Sequence, residues 1–149
     1  MKKRKLATGI LSEVANWTVL IVDDTPDNLM VAKTALQFHG AKVYTAMNGE
    51  EGLQSLRTLK PTVILLDIRM PKMDGWEMFK FIRKNPATAE IPIIAITAYA
   101  MESDREDILA GGFNGYIPKP FDIFTFVEEI AKIIQRATLN QQESQDAKL

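Results

Sequence analysis

A chain of 149 residues with 46% hydrophobic content is long enough to bury one real core and leaves little room for a second domain. Its 18 basic residues against 19 acidic ones leave a formal net charge of -1, so no global field would hold nucleic acid and function must rest on local sites. Cysteine is absent, which excludes disulfides, thiolate metal sites and cysteine nucleophiles and is compatible with a reducing compartment; no apolar run approaches membrane-spanning length.

Residues 1–16 read as an N-terminal extension. Lys2, Lys3, Arg4 and Lys5 are followed by Leu6, Ile10, Leu11 and Val14 at roughly helical spacing, and Ser12 and Glu13 interrupt the apolar part, which argues against a secretory signal. A frayed, solvated arm is the favoured expectation; a short helix packed on the domain or on a second copy, and a basic arm for an anionic surface, are the alternatives. The domain proper spans 17–136. Thr18 to Val22 forms the first strand, and Thr25 as N-cap with Pro26 at the first helical position opens a helix to about Phe38 that Gly40 closes. His39, the only histidine, lies late in this helix, cannot build a metal cluster, and is expected at the surface.

A second strand, Lys42 to Thr45, leads to Asn48 as the cap of a helix presenting Leu53 and Leu56, which Pro61 stops. Val63 to Leu66 is a short continuous apolar run suited to a strand buried on both faces, and Asp67 stands where it ends. A carboxylate there suits a nucleophile or a metal ligand, although on this stretch alone it serves equally as a cap for the next turn. Asp74 with Glu77 forms a capping-box pattern, and Trp76, Phe79 and Ile82 give the following helix its apolar face up to Asn85-Pro86. Ile93 to Ile96 is the fourth strand, Ser103 with Glu106 marks a capped helix ending at Gly111-Gly112, and Gly115 to Ile117 is a short fifth strand. The last helix starts near Asp122 and carries Phe126, Val127, Ile130, Ile133 and Ile134; residues 137–149 are polar and read as a disordered tail. Regular alternation of this kind predicts a parallel sheet with helices on both faces.

Asp23 and Asp24 follow the first strand, Asp67 the third, Thr97 the fourth and Lys119 the fifth, so all should converge on one sheet edge. Three carboxylates in one pocket repel each other, and a shared proton, a counter-cation or a divalent ion must resolve the charge. Lys119 supplies one positive charge. Mg2+ suits the remainder, because it takes one or two carboxylates and leaves positions for phosphoryl oxygens.

Together, Val22-Asp23-Asp24, Leu66-Asp67-Ile68-Arg69-Met70-Pro71 with Met73-Asp74-Gly75, Thr97-Ala98, and Tyr116 with Lys119-Pro120 make the chain resemble a receiver domain of two-component response regulators over about Val19 to Ile134. The resemblance implies a flavodoxin-like doubly wound α/β fold, a five-stranded parallel sheet of order 2-1-3-4-5 with five helices, an order general to such folds. By the same resemblance, Asp67 would accept a phosphoryl group from a histidine kinase or phosphotransfer protein, Asp23 and Asp24 would hold Mg2+ with Asp67, and the backbone carbonyl of Arg69 would complete the metal site. Thr97 would donate its hydroxyl to the phosphoryl group and Tyr116 would turn in behind it as a switch, with Lys119 aimed by a cis bond to Pro120. Arg69 and Tyr99 would modulate the phosphorylated lifetime by restricting water. The chain would then be no enzyme in the ordinary sense but a cytoplasmic phosphoacceptor switch that assists its own phosphorylation and dephosphorylation. Its output would be a downstream protein contact through the fourth helix, fifth strand and fifth helix, since no output domain follows the last helix. Direct nucleic-acid binding and a membrane span are not expected; phosphorylation-dependent dimerisation stays open.

Two rival functions share parts of this pattern. An aspartate-nucleophile phosphohydrolase needs a second carboxylate two residues after the nucleophile to protonate the leaving group, and Arg69 holds that position. A constitutive scaffold of the same fold would not need Asp23, Asp24, Asp67, Thr97 and Lys119 together.

Overall fold

The computed structural model describes residues 11–98 and 102–147. The strands are β1 (Thr18–Val22), β2 (Lys42–Ala46), β3 (Val63–Asp67), β4 (Ile93–Thr97) and β5 (Gly115–Pro118), and the helices are α1 (Pro26–Phe38), α2 (Gly49–Ser55), α3 (Gly75–Lys84), α4 (Glu102–Ala110) and α5 (Phe126–Ala147). They form a 5-stranded sheet of order β2-β1-β3-β4-β5, parallel throughout, as the resemblance implied.

The period of two along each strand divides the core between the sheet's faces. Val19 and Ile21 of β1, Val63 and Leu65 of β3, and Ile94 and Ile96 of β4 pack with Leu29, Ala32 and Leu36 of α1 and with Phe126, Ile130 and Ile133 of α5. Their neighbours Leu20, Val22, Ile64, Leu66, Ile93 and Ala95 face the other way, onto Met78, Phe79 and Ile82 of α3 and Ile108 of α4. Because β1, β3 and β4 are covered on both sides, their side chains are apolar without alternation. Truncating a fully buried member such as Ile64 to Ala would cost about 2–5 kcal/mol.

Local signals act largely as the sequence predicts. Asn48 accepts the Glu51 amide at 2.9 Å and Asp74 the Glu77 amide at 2.9 Å, each capping its helix. Gly40, at φ +95, takes the left-handed turn that ends α1. Thr25 differs: it occupies the cap position without a side-chain capping bond, and the Asp23 carboxylate takes the Thr25 amide instead. The fourth helix, α4, begins at Glu102, one residue before Ser103, where the sequence pattern placed the cap. Asp122 precedes α5 rather than opening it; its carbonyl accepts the amides of Thr125 and Phe126 in the turn leading to the helix.

Both ends depart from expectation. Ser12–Asn16 forms a 3-10 turn that buries Val14 completely, and Trp17 is 5% exposed against the α1/α5 side of the core, so this part of the extension is not a solvated arm. Two apolar side chains one turn apart are enough to anchor it. The segment expected to be a disordered tail continues α5 to Ala147. No Gly or Pro follows Phe126 to stop the helix, Ala137 is buried, and Gln141 Nε2 donates to the Glu90 carbonyl at 2.8 Å. His39 keeps partial exposure at the end of α1, with its ring edge-on to Phe38 at 5.3 Å. Among the described residues, no helix is long and apolar enough to cross a membrane.

Candidate functional site

Register brings the polar residues together. Val22 lies opposite Leu66, so Asp23 leaves β1 beside Asp67; Asp67 lies opposite Ile96, and Thr97 opposite Pro118, so Thr97 and Lys119 emerge at the same edge. Asp23, Asp67 and Thr97 are buried at 0%, 4% and 3% exposure. Asp23, Asp24 and Asp67 each present a carboxylate oxygen, and these oxygens lie within 4.8 Å of one another. Lys119 Nζ bridges two of the acids, 2.7 Å from Asp23 Oδ2 and 3.2 Å from Asp67 Oδ2. The Lys119 backbone is held by its amide donating to the Thr97 carbonyl at 2.9 Å, and the Lys119-Pro120 bond is cis.

The remaining oxygens are held by main-chain donors. Asp23 Oδ1 accepts the Thr25 amide at 2.9 Å and Asp67 Oδ1 the Arg69 amide at 3.1 Å. Asp23 Oδ2 is buried and accepts no hydrogen bond; its contact with Lys119 is short but off the hydrogen-bond direction, so it compensates charge without satisfying the lone pairs. Burial, and then the charge of Asp23, push the Asp67 carboxyl from 3.8 to about 6, against the pull of Lys119 and the Arg69 amide. A buried oxygen with unused lone pairs beside two further carboxylates is a hard donor set that fits a divalent cation such as Mg2+.

To one side of this cluster, next to Thr97 and Arg69, lies a cleft of about 640 Å³ lined also by Trp76, Asp104 and Ile108. Arg69 is exposed at its rim. Tyr116 is partly buried on β5 opposite Ala95, and burial, then the charge of Asp104, raise its phenol above the ordinary value despite Arg105. Tyr99 lies outside the described residues. The sequence reading assigned no role to Gly75, whose amide donates to the Ile68 carbonyl at 2.9 Å directly behind Asp67. Its only sequence signal is the Asp-Gly pair at the start of α3.

The response regulator receiver domain profile matches residues 19–131, which includes every one of these positions. The chain belongs to that family. It is 35% identical over 113 residues to the polar-differentiation response regulator DivK of Brucella anthropi, covering 76% of this chain and 92% of that one. Among solved structures, a putative response regulator from Chloroflexus aurantiacus superposes with a TM-score of 0.75 at 31% identity, covering 80% of this chain and 98% of the other. The chemotaxis protein CheY4 of Vibrio cholerae superposes at 0.73 with 29% identity, over 78% and 97%. The chain is therefore a receiver domain of two-component signalling, and receiver domains act as phosphoacceptor switches that bind Mg2+ at an acidic cluster.

Proposed function

We propose that Asp67 of this receiver domain accepts a phosphoryl group from a phosphohistidine on a histidine kinase or phosphotransfer protein, in a reaction that depends on Mg2+ held by Asp23, Asp24, Asp67 and the backbone carbonyl of Arg69. The observation that carries this reading is the joint placement of Asp23, Asp24 and Asp67 within 4.8 Å of one another with Lys119 bridging Asp23 and Asp67. An Asp67 oxygen attacks phosphorus as the phosphorus–nitrogen bond breaks, and the imidazole leaves with the bonding electrons. Mg2+, when bound, neutralises charge on the transferring oxygens. The Arg69 amide fixes one Asp67 oxygen and Lys119 follows the other, which leaves the ammonium placed to pair with the phosphoryl group once transfer is complete.

Thr97 then donates its hydroxyl to a phosphoryl oxygen, and Tyr116 turns in behind it, converting a local bond into a change of surface on α4, β5 and α5 that a downstream protein reads. Arg69 and Tyr99 shield the phosphoryl group from water. Met30, Ile123 and Phe124, at 65%, 61% and 95% exposure, lie in the first turns of α1 and on the β5–α5 loop, both of which start at the acidic edge, and offer the donor protein an apolar face there. The cytoplasm is the compartment this partnership requires.

Incubation with acetyl phosphate and Mg2+, followed by intact mass, tests the reading. A phosphoryl adduct in the parent that is absent from Asp67→Asn supports it. Multiple turnover of phosphate esters would instead indicate a hydrolase, and no adduct with or without Mg2+ a scaffold.

A further inference from the structure

Asp67 has two kinds of support. Its carboxylate oxygens are held by the Arg69 amide and the Lys119 ammonium, but its main chain is held from behind by the start of α3. There the Gly75 amide donates to the Ile68 carbonyl at 2.9 Å, and Asp74 caps the helix through the Glu77 amide. A Cβ on Gly75 would lie 2.5 Å from the Asp67 carbonyl oxygen, 2.7 Å from the Ile68 Cα and 3.1 Å from the Asp67 carbonyl carbon. All three neighbours are backbone, so no side chain can swing aside. Gly52 offers the contrast, because there a Cβ would meet the flexible end of Met78 at 2.6 Å.

We infer that Gly75 is a positioning residue for phosphoryl transfer: its missing side chain lets the α3 N-terminus press directly on the β3 end and so sets where the Asp67 carboxylate stands relative to Asp23 and Lys119. This rests on the phosphoacceptor reading of Asp67. Any larger residue must push α3 and the strand end apart, and Asp67 moves with the strand while Asp23 and Lys119, just past β1 and β5, do not. In-line transfer is sensitive to such a shift, with a misplacement of about 1 Å costing on the order of 100-fold in rate.

The test is the rate of adduct formation at saturating Mg2+ with acetyl phosphate and, separately, phosphoramidate, followed by intact mass for the parent, Gly75→Ala and Gly52→Ala. The parent must form the adduct; if it does not, the phosphoacceptor reading itself fails. Given that it does, Gly75→Ala is expected to react about 10- to 100-fold more slowly by the same factor with both donors while still melting cooperatively, and Gly52→Ala within about twofold of the parent. A Gly75→Ala rate within twofold of the parent, or an equal loss in Gly52→Ala, overturns the inference. Should Gly75→Ala not fold, Asp74→Ala and Asp74→Asn take its place. Asn keeps the cap and Ala loosens it, so Asp74→Ala should be slower than Asp74→Asn, and equal rates overturn the inference.

Discussion

Replacing Asp67 by Asn removes a carboxyl whose proton affinity the fold raises, and the pH dependence of stability should show it. The Asp67 carboxyl moves from 3.8 to about 6, chiefly through burial and secondly through Asp23. The folded state therefore holds this proton more tightly than the unfolded chain. Below the unfolded value both states are protonated and the contribution to stability is fully present; it is lost as pH rises through about 6, where the folded carboxyl must ionise. The change from 3.8 to about 6 is worth at most about 3 kcal/mol, and solvent screening and the coupling to Asp23 reduce it. Denaturant melts of the parent and Asp67→Asn in chelator, from about pH 4 to about pH 8, report this group together with its electrostatic coupling to Asp23, while carboxylates far from the cluster cancel in the difference. The stability of Asp67→Asn relative to the parent should rise across that window, most steeply between about pH 4 and about pH 6 and by no more than about 3 kcal/mol. Saturating Mg2+ should shrink the rise, since the cation favours ionised Asp67. A difference that stays flat with pH, or that falls, would refute the placement of Asp67 in a buried acidic pair.

Asp24→Asn should stabilise the metal-free protein by about 1–2 kcal/mol and should gain much less melting temperature from Mg2+ than the parent, because each like-charge pair at this spacing costs on the order of 3 kcal/mol before Lys119 and water screen it. Equal responses to Mg2+ would remove Asp24 from the metal site. Trp17→Ala should cost about 3–5 kcal/mol in a denaturant melt, since Trp17 is 5% exposed; a cost below about 1 kcal/mol would return the N-terminal turn to a loosely held arm. Arg69→Ala should shorten the lifetime of the phosphorylated form, followed by loss of the adduct in intact mass after donor removal, because Arg69 lines the cleft next to Thr97. An unchanged lifetime would assign the protection elsewhere.

Much of this protein is legible residue by residue. Doubly apolar runs at Val19–Val22, Val63–Leu66 and Ile93–Ile96 announce strands buried on both faces, and Asn48 and Asp74 mark helix starts because a short acceptor side chain three residues before a free amide has one natural use. In a parallel sheet the carboxyl ends of all strands share an edge, so placing Asp23, Asp67, Thr97 and Lys119 after successive strands was enough to predict that they meet. Residue type alone does not fix a helix start: Ser103 has the side chain of a cap, but the helix begins before it, at Glu102.

What local pattern could not decide was set by contacts between residues far apart in sequence. The sharing of Lys119 between Asp23 and Asp67, and the rise of Asp67 to about 6, depend on distances and burial that no sequence period encodes. The close approach of Gly75 to the Asp67 carbonyl is likewise a property of how α3 meets β3. At the ends, Val14 and Trp17 find a core to enter only once α1 and α5 lie side by side, and Gln141 finds Glu90 only because α5 is long enough to reach it. A polar terminal segment has no apolar stripe to announce a helix, so its order comes from continuation of α5 past buried Ala137 and from that one long-range hydrogen bond.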